Sequence, residues 1–131
     1  MSTIVYITIT GKTKRFVDKI NNKYPKIELA ENNVPEAIND NFILVVPSYA
    51  TSDNHDMYQL LPLVDEFLEV GNNLEHCKGI FAAGTVNFNY LYGITGIEIS
   101  KKYNIPLLKK IEMSGNNRDV QDIEKELDNI V

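Results

Sequence analysis

The segment Thr8-Ile9-Thr10-Gly11-Lys12-Thr13-Lys14 puts three hydroxyls, a glycine and two ammonium groups between an apolar run and the first helical pattern of the chain. A helix start offers backbone N–H groups without intrahelical acceptors and the positive end of a dipole, so this composition suits an anion. Gly11 allows close backbone approach, and the threonine hydroxyls add donors. Taken alone, the segment reads equally well as a helix capped by Thr10. Gly11-Lys12-Thr13 also matches the tail of a nucleotide-hydrolase phosphate loop, but that motif needs a glycine where this chain has Tyr6. With no G-x-G-x-x-G either, a triphosphate and a dinucleotide both drop out, and a monophosphate remains.

Two further segments carry aromatics among small polar residues. Pro47-Ser48-Tyr49-Ala50-Thr51 follows one buried-strand pattern, and Gly84-Thr85-Val86-Asn87-Phe88-Asn89-Tyr90 follows another, with Tyr92 just beyond. Tyr49, Phe88 or Tyr92 can pack on a flat heteroaromatic ring while Asn87 and backbone amides address its polar edge. Singly, Phe88 and Tyr92 read better as core residues. Three such loops at one sheet edge favour a ring site. The candidate cofactor-binding set is therefore Thr8, Thr10, Gly11, Lys12, Thr13 and Lys14; Pro47, Ser48, Tyr49, Ala50 and Thr51; and Ala83, Gly84, Thr85, Asn87, Phe88 and Tyr92. No catalytic residue and no metal ligand is expected.

These loops need a scaffold, and strand and helix patterns alternate along the chain. Thr3 to Ile9 is β-branched and almost continuously apolar, as in a strand buried on both faces. Lys12 to Asn22 carries Phe16, Val17 and Ile20 at helical spacing, and Lys26 to Leu29 reads as a short edge strand. Phe42 to Val46 is the strongest buried-strand signal, stopped by Pro47. Leu60, Leu61, Val64, Phe67 and Leu68 mark a helix, which tolerates Pro62 only in its first turn and closes at Gly71-Asn72-Asn73. Gly79 to Ala83 is a fourth strand, Tyr92 to Tyr103 a helix, Leu107 to Met113 a fifth strand and Asp119 to Ile130 a last helix. Strands joined through helices imply parallel pairing with right-handed crossovers, hence a doubly wound three-layer α/β sandwich, residues 1–131 forming one domain.

With 131 residues, 44% of them hydrophobic, the chain can build one substantial core. A net charge of −5 opposes nucleic acid, whose binding rests on clustered cations. No apolar run approaches the roughly 20 residues of a membrane span, and the N-terminus lacks a signal-peptide pattern, so a cytoplasmic protein without membrane contact is expected. Cys77 reads as a small packed side chain, and Cys77, His55 and His76 are too few ligands for a structural zinc site. His55 reads as a solvated loop residue.

Thr8-x-Thr10-Gly11-x-Thr13 resembles the flavodoxin phosphate loop, and the whole chain is similar to the NrdI family, the short flavodoxins associated with class Ib ribonucleotide reductase. The resemblance rests also on Val46-Pro47-Ser48-Tyr49, on Ala83 to Phe88 followed by Tyr92-Gly93, on Lys102-Tyr103-Asn104-Ile105-Pro106 and on Ile111 to Val120, the last two being the more specific. It implies a flavodoxin-like five-stranded parallel sheet in the order 2-1-3-4-5. It also implies FMN, with its phosphate at Thr8 to Lys14 and its isoalloxazine between Ser48-Tyr49 and Gly84 to Phe88. In that family the reduced flavin reacts with dioxygen, and the superoxide formed passes to the small, radical-generating subunit of the reductase. The partners so implied are that subunit and an electron-donating reductase, and the protein is a redox partner rather than a self-contained enzyme.

Two departures from the family pattern stand out. Thr85-Val86 and Asn89 replace an Asn-Arg pair and a glycine, and Ala50 to Met57 replaces a glycine-rich loop. Fewer glycines restrict positive-φ conformations beside a flavin, and Asp53 and Asp56 would disfavour an anionic reduced ring. An ordinary flavodoxin shuttling single electrons is the alternative. A receiver-type module fits poorly, because it needs acidic residues where this chain is Thr-rich and basic.

Overall fold

A computed structural model of the protein describes residues 2–9, 11–47, 55–84 and 94–130, without the side chains of 55–59. In chain order the elements are β1 (Thr3–Tyr6), α1 (Lys12–Asp18), β2 (Lys26–Glu28), β3 (Phe42–Pro47), α2 (His55–Leu68), α3 (Asn73–His76), β4 (Cys77–Gly84), α4 (Ile94–Tyr103), β5 (Leu107–Glu112) and α5 (Asn117–Asn129). The strands form one parallel sheet in the order β2-β1-β3-β4-β5, with Val5 beside Leu44 and Leu44 beside Ile80. This is the doubly wound flavodoxin-like order expected from the sequence.

Successive side chains of a strand point to opposite faces, which explains why β3 has to be apolar throughout. Leu44 and Val46 pack with Leu60, Val64, Phe67 and Ile99 from α2 and α4. Ile43 and Val45 face the other way, onto Phe16, Val17 and Ile20 of α1 and its extension and Ile123 and Leu127 of α5. Two cores thus sandwich one sheet, and Phe42 meets Phe67 edge to face at 5.6 Å between ring centres.

The boundaries differ from expectation in ways the backbone explains. α1 ends at Asp18 rather than Asn22, because the next amides tighten to three-residue bonds: Lys19 N–H donates to Phe16 O and Ile20 N–H to Val17 O. β2 stops at Glu28 and β1 at Tyr6, although Ile7 N–H still donates to Val45 O. Pro47 is the last residue of β3 rather than the residue after it. α2 begins at His55, so His55 starts a helix instead of lying in a loop; Met57 and Gln59 are good helix formers, and an acidic residue such as Asp56 is favoured in a first turn.

Pro62 therefore falls mid-helix, against the first-turn expectation. Its missing N–H removes one helical bond, and the burial of Leu60, Leu63, Val64 and Phe67 around it outweighs that loss. Gly71 turns the chain at φ 50, and the unforeseen α3 follows because Asn73 is satisfied there: buried, it accepts from Ile38 N–H and donates to Phe67 O. β4 starts early, at Cys77 paired with Phe42. Met113 leaves β5 at φ 55, and α5 starts two residues early because Asn116 and Asp119 form a reciprocal capping box.

Cys77 is buried, and burial above all pushes its thiol up to about 12, so it is a packed side chain, as expected. No helix of the described residues is long and apolar enough to cross a membrane.

Gly96 lets α4 lie close on β4: a Cβ there would stand 2.5 Å from the Ala82 Cβ. Gly96→Ala gains about 1 kcal/mol of helix propensity. Overpacking against a buried strand costs about 1–3 kcal/mol, so the variant is expected to have a lower urea midpoint than wild type. Tyr24, buried with its hydroxyl donating to Asp128, is pushed up to about 12 from 10.0, by burial first and then by Asp128. A folded-state value raised above the unfolded one contributes stability that is complete below pH 10 and lost as pH rises toward 12. Denaturation across that window should show a steeper loss for wild type than for Tyr24→Phe.

Candidate functional site

All five strands run in one direction, so their carboxyl ends share an edge, and β1 is flanked by β2 on one side and β3 on the other. Chain connections leave β1 and β3 in opposite directions there, which opens a crevice. The first loop of the candidate set starts at β1, the second at β3 and the third at β4.

In the first loop, Gly11 N–H donates to Thr8 Oγ1 at 3.1 Å, closing a tight turn. Gly11 holds φ 93, a left-handed conformation that glycine adopts without penalty, and a Cβ placed on it would meet nothing within 4 Å among the described residues. Gly11, not Thr10, is the N-cap of α1, and no side chain satisfies the cap. Among the described residues the first amide to bond back is that of Arg15, to Gly11 O at 3.0 Å. The amides of Lys12 and Thr13 lie ahead of it, in the part of a helix start that has no intrahelical acceptor. No acidic residue sits in this first turn.

Thr13 is the telling residue: it is fully buried, and its Oγ1 has no hydrogen-bond partner among the described residues. An unsatisfied buried hydroxyl costs about 1–3 kcal/mol, so folding tolerates a loss that a ligand would make good. Lys12 is half-buried. Lys14 is exposed and pairs with Asp18 one turn along at 2.9 Å; that hydrogen bond, then the charge of Asp18, raises its pKa.

Pro47 lies in register with Ala83, and Gly84 with Glu112, so these three stand at the carboxyl ends of β3 and β4. Thr10, Ser48, Tyr49, Ala50, Thr51, Thr85, Asn87, Phe88 and Tyr92 lie outside the described residues. The structure thus joins Thr8, Gly11, Lys12 and Thr13 into one cradle and puts Pro47, Ala83 and Gly84 on the same edge. No group of His, Cys, Asp and Glu among the described residues could hold a metal ion.

The sequence reading missed Glu28, whose Oε1 accepts from the Tyr6 hydroxyl at 3.3 Å on the β1–β2 side. Burial, then the Glu28 charge, raises the Tyr6 pKa and keeps it neutral. A tyrosine inside an apolar strand was the available signal, since its hydroxyl needs a partner.

The sequence and the fold both have counterparts among known proteins. The family described as NrdI flavodoxin-like matches residues 4–125. Protein NrdI of Streptococcus pyogenes serotype M2 (strain MGAS10270) is 32% identical over 122 residues, covering 92% of this chain and 74% of its own. Protein NrdI of serotype M4 (strain MGAS10750) is also 32% identical and is covered to 83%. Among solved structures, a short-chain flavodoxin associated with a non-canonical PDU bacterial microcompartment superposes with a TM-score of 0.57 over 99% of this chain and 96% of its own, at 14% identity.

Thr13→Val keeps the side-chain shape and removes the orphaned hydroxyl. The ligand-free variant should be more stable than wild type by about 1 kcal/mol in urea denaturation, the opposite of an ordinary buried substitution. A destabilised variant would mean that the hydroxyl is satisfied in solution.

Proposed function

The chain belongs to the NrdI flavodoxin-like family, whose fold carries a flavin and whose members are associated with ribonucleotide reductase, and on that footing we propose that it binds FMN and serves the small subunit of a class Ib reductase. The observation that supports the FMN reading is the Thr13 hydroxyl, buried and without a partner among the described residues, beside the Gly11 N-cap. A phosphomonoester would accept from Thr13 Oγ1 and from the leading amides of α1, with Lys12 adding positive charge.

In this reading Thr8, Thr10, Gly11, Lys12, Thr13 and Lys14 hold the phosphate. Pro47, Ser48, Tyr49, Ala50 and Thr51 border the ring on one side, and Ala83, Gly84, Thr85, Asn87, Phe88 and Tyr92 on the other. When bound and reduced, the flavin supplies one electron to dioxygen, giving superoxide. The protein's part is to hold the cofactor, shape access to its ring and present that edge to the small subunit, after an electron-donating reductase has reduced it. A cytoplasmic setting follows from such partners.

The test is to add FMN to purified protein, remove the excess and record the absorption spectrum, then reduce anaerobically and readmit air. Retained flavin bands that bleach and return with superoxide release are expected, together with copurification of the small subunit. Loss of FMN on gel filtration overturns the cofactor assignment, and retention without superoxide release points to a plain electron carrier. Thr13→Val should weaken FMN binding about tenfold or more, since a hydrogen bond to a charged group contributes roughly 1.5–3 kcal/mol.

A further inference from the structure

The stretch from Ile111 to Val120, among the most specific parts of the family resemblance, belongs to none of the three loops above. Its turn nevertheless touches both β4, from which the third loop departs, and α1, which the first loop leads into. Met113 N–H donates to Gly84 O at 2.7 Å, fixing the turn to the last residue of β4, from which the third loop departs. Gly115 N–H donates back to Glu112 O at 2.9 Å. On the other side, Lys19, the C-cap of α1, donates from Nζ to Ser114 O at 3.2 Å and to Gly115 O at 3.4 Å.

The closest approach is at Gly115. A Cβ on that residue would lie 2.6 Å from Phe16 Cδ1 and 3.1 Å from Cε1, and its φ of 71 is itself left-handed. Phe16 is fully buried in the second core, among sheet residues and α5, so its ring has nowhere to retreat. It sits three residues after Thr13, on the same face of α1. The turn itself is fixed from behind. Asn116 and Asp119 cap α5 reciprocally, and Lys109 Nζ reaches both Asp119 and Asp122 at 2.6 Å.

We infer that Gly115, with Lys19, is a positioning residue for the anion cradle: the Met113–Gly115 turn seats α1 through Phe16 and so sets where the Thr13 hydroxyl and the first-turn amides stand. The inference rests on the FMN reading. It says that a residue outside the cradle controls recognition of the phosphate, while recognition of the ring is left to other loops.

FMN and riboflavin differ only by the phosphate, so the ratio of their affinities isolates the cradle; a general loosening of the protein lowers both together. Binding of the two flavins is measured by fluorescence quenching in high salt, where charge lost from an exposed residue is screened. Gly115→Ala is expected to lower FMN affinity about tenfold and riboflavin affinity less than about twofold. Lys19→Met, an exposed change that leaves the core intact, should narrow the ratio in the same direction by about twofold to threefold, and it decides alone if Gly115→Ala does not fold. A wild type that prefers FMN, with folded variants that keep its ratio, overturns the inference and spares the FMN reading. A wild type that binds neither flavin overturns both.

Discussion

Burial of the central sheet on both faces is the constraint from which the rest follows. Ile43 and Val45 need one cover, Leu44 and Val46 another, so helices must lie on each side. A strand returned through a helix comes back parallel, and parallel strands all finish at the same edge. That edge is where loops can leave the packed layers and where backbone amides can be kept for a ligand. The position of the site is thus a consequence of how the apolar residues are arranged, before any residue of the site is considered.

Two helices that begin at this edge show how differently the molecule treats their ends. At α5, Asn116 and Asp119 satisfy each other's backbone N–H groups, and Lys109 neutralises Asp119. At α1 the cap is a glycine, the first turn has no acid, and a threonine hydroxyl is buried with no partner among the described residues. The same chemistry that stabilises one helix start is withheld from the other. Such a local exception to an otherwise satisfied structure is where function is expected to be found.

Much of this was legible in the sequence. The run Phe42 to Val46 reads as a strand buried on both faces, whereas Thr8 to Lys14 reads equally as an anion loop and as a capped helix start. The extent of α2 was not legible, because the proline rule is local whereas the packing of Leu63 and Phe67 that overrides it is tertiary. Nor was α3, a single turn held by the contacts of Asn73 with Ile38 and Phe67. The burial of Thr13 without a partner among the described residues is set by how α1 packs on the sheet, which no local pattern states. Contact between Gly115 and Phe16, far apart in the chain, is likewise a property of the assembled layers.

Cys77 carries one more consequence. A thiol must ionise and meet its attacker before it can be oxidised, and this one is buried and held protonated through neutral pH. The chain's single cysteine also lies at the far end of β4 from the candidate loops, since Cys77 opens that strand and the third loop leaves from its other end at Gly84. Sulfenylation and disulfide cross-linking to a second copy both need an accessible thiolate, so the fold withholds this cysteine from either reaction.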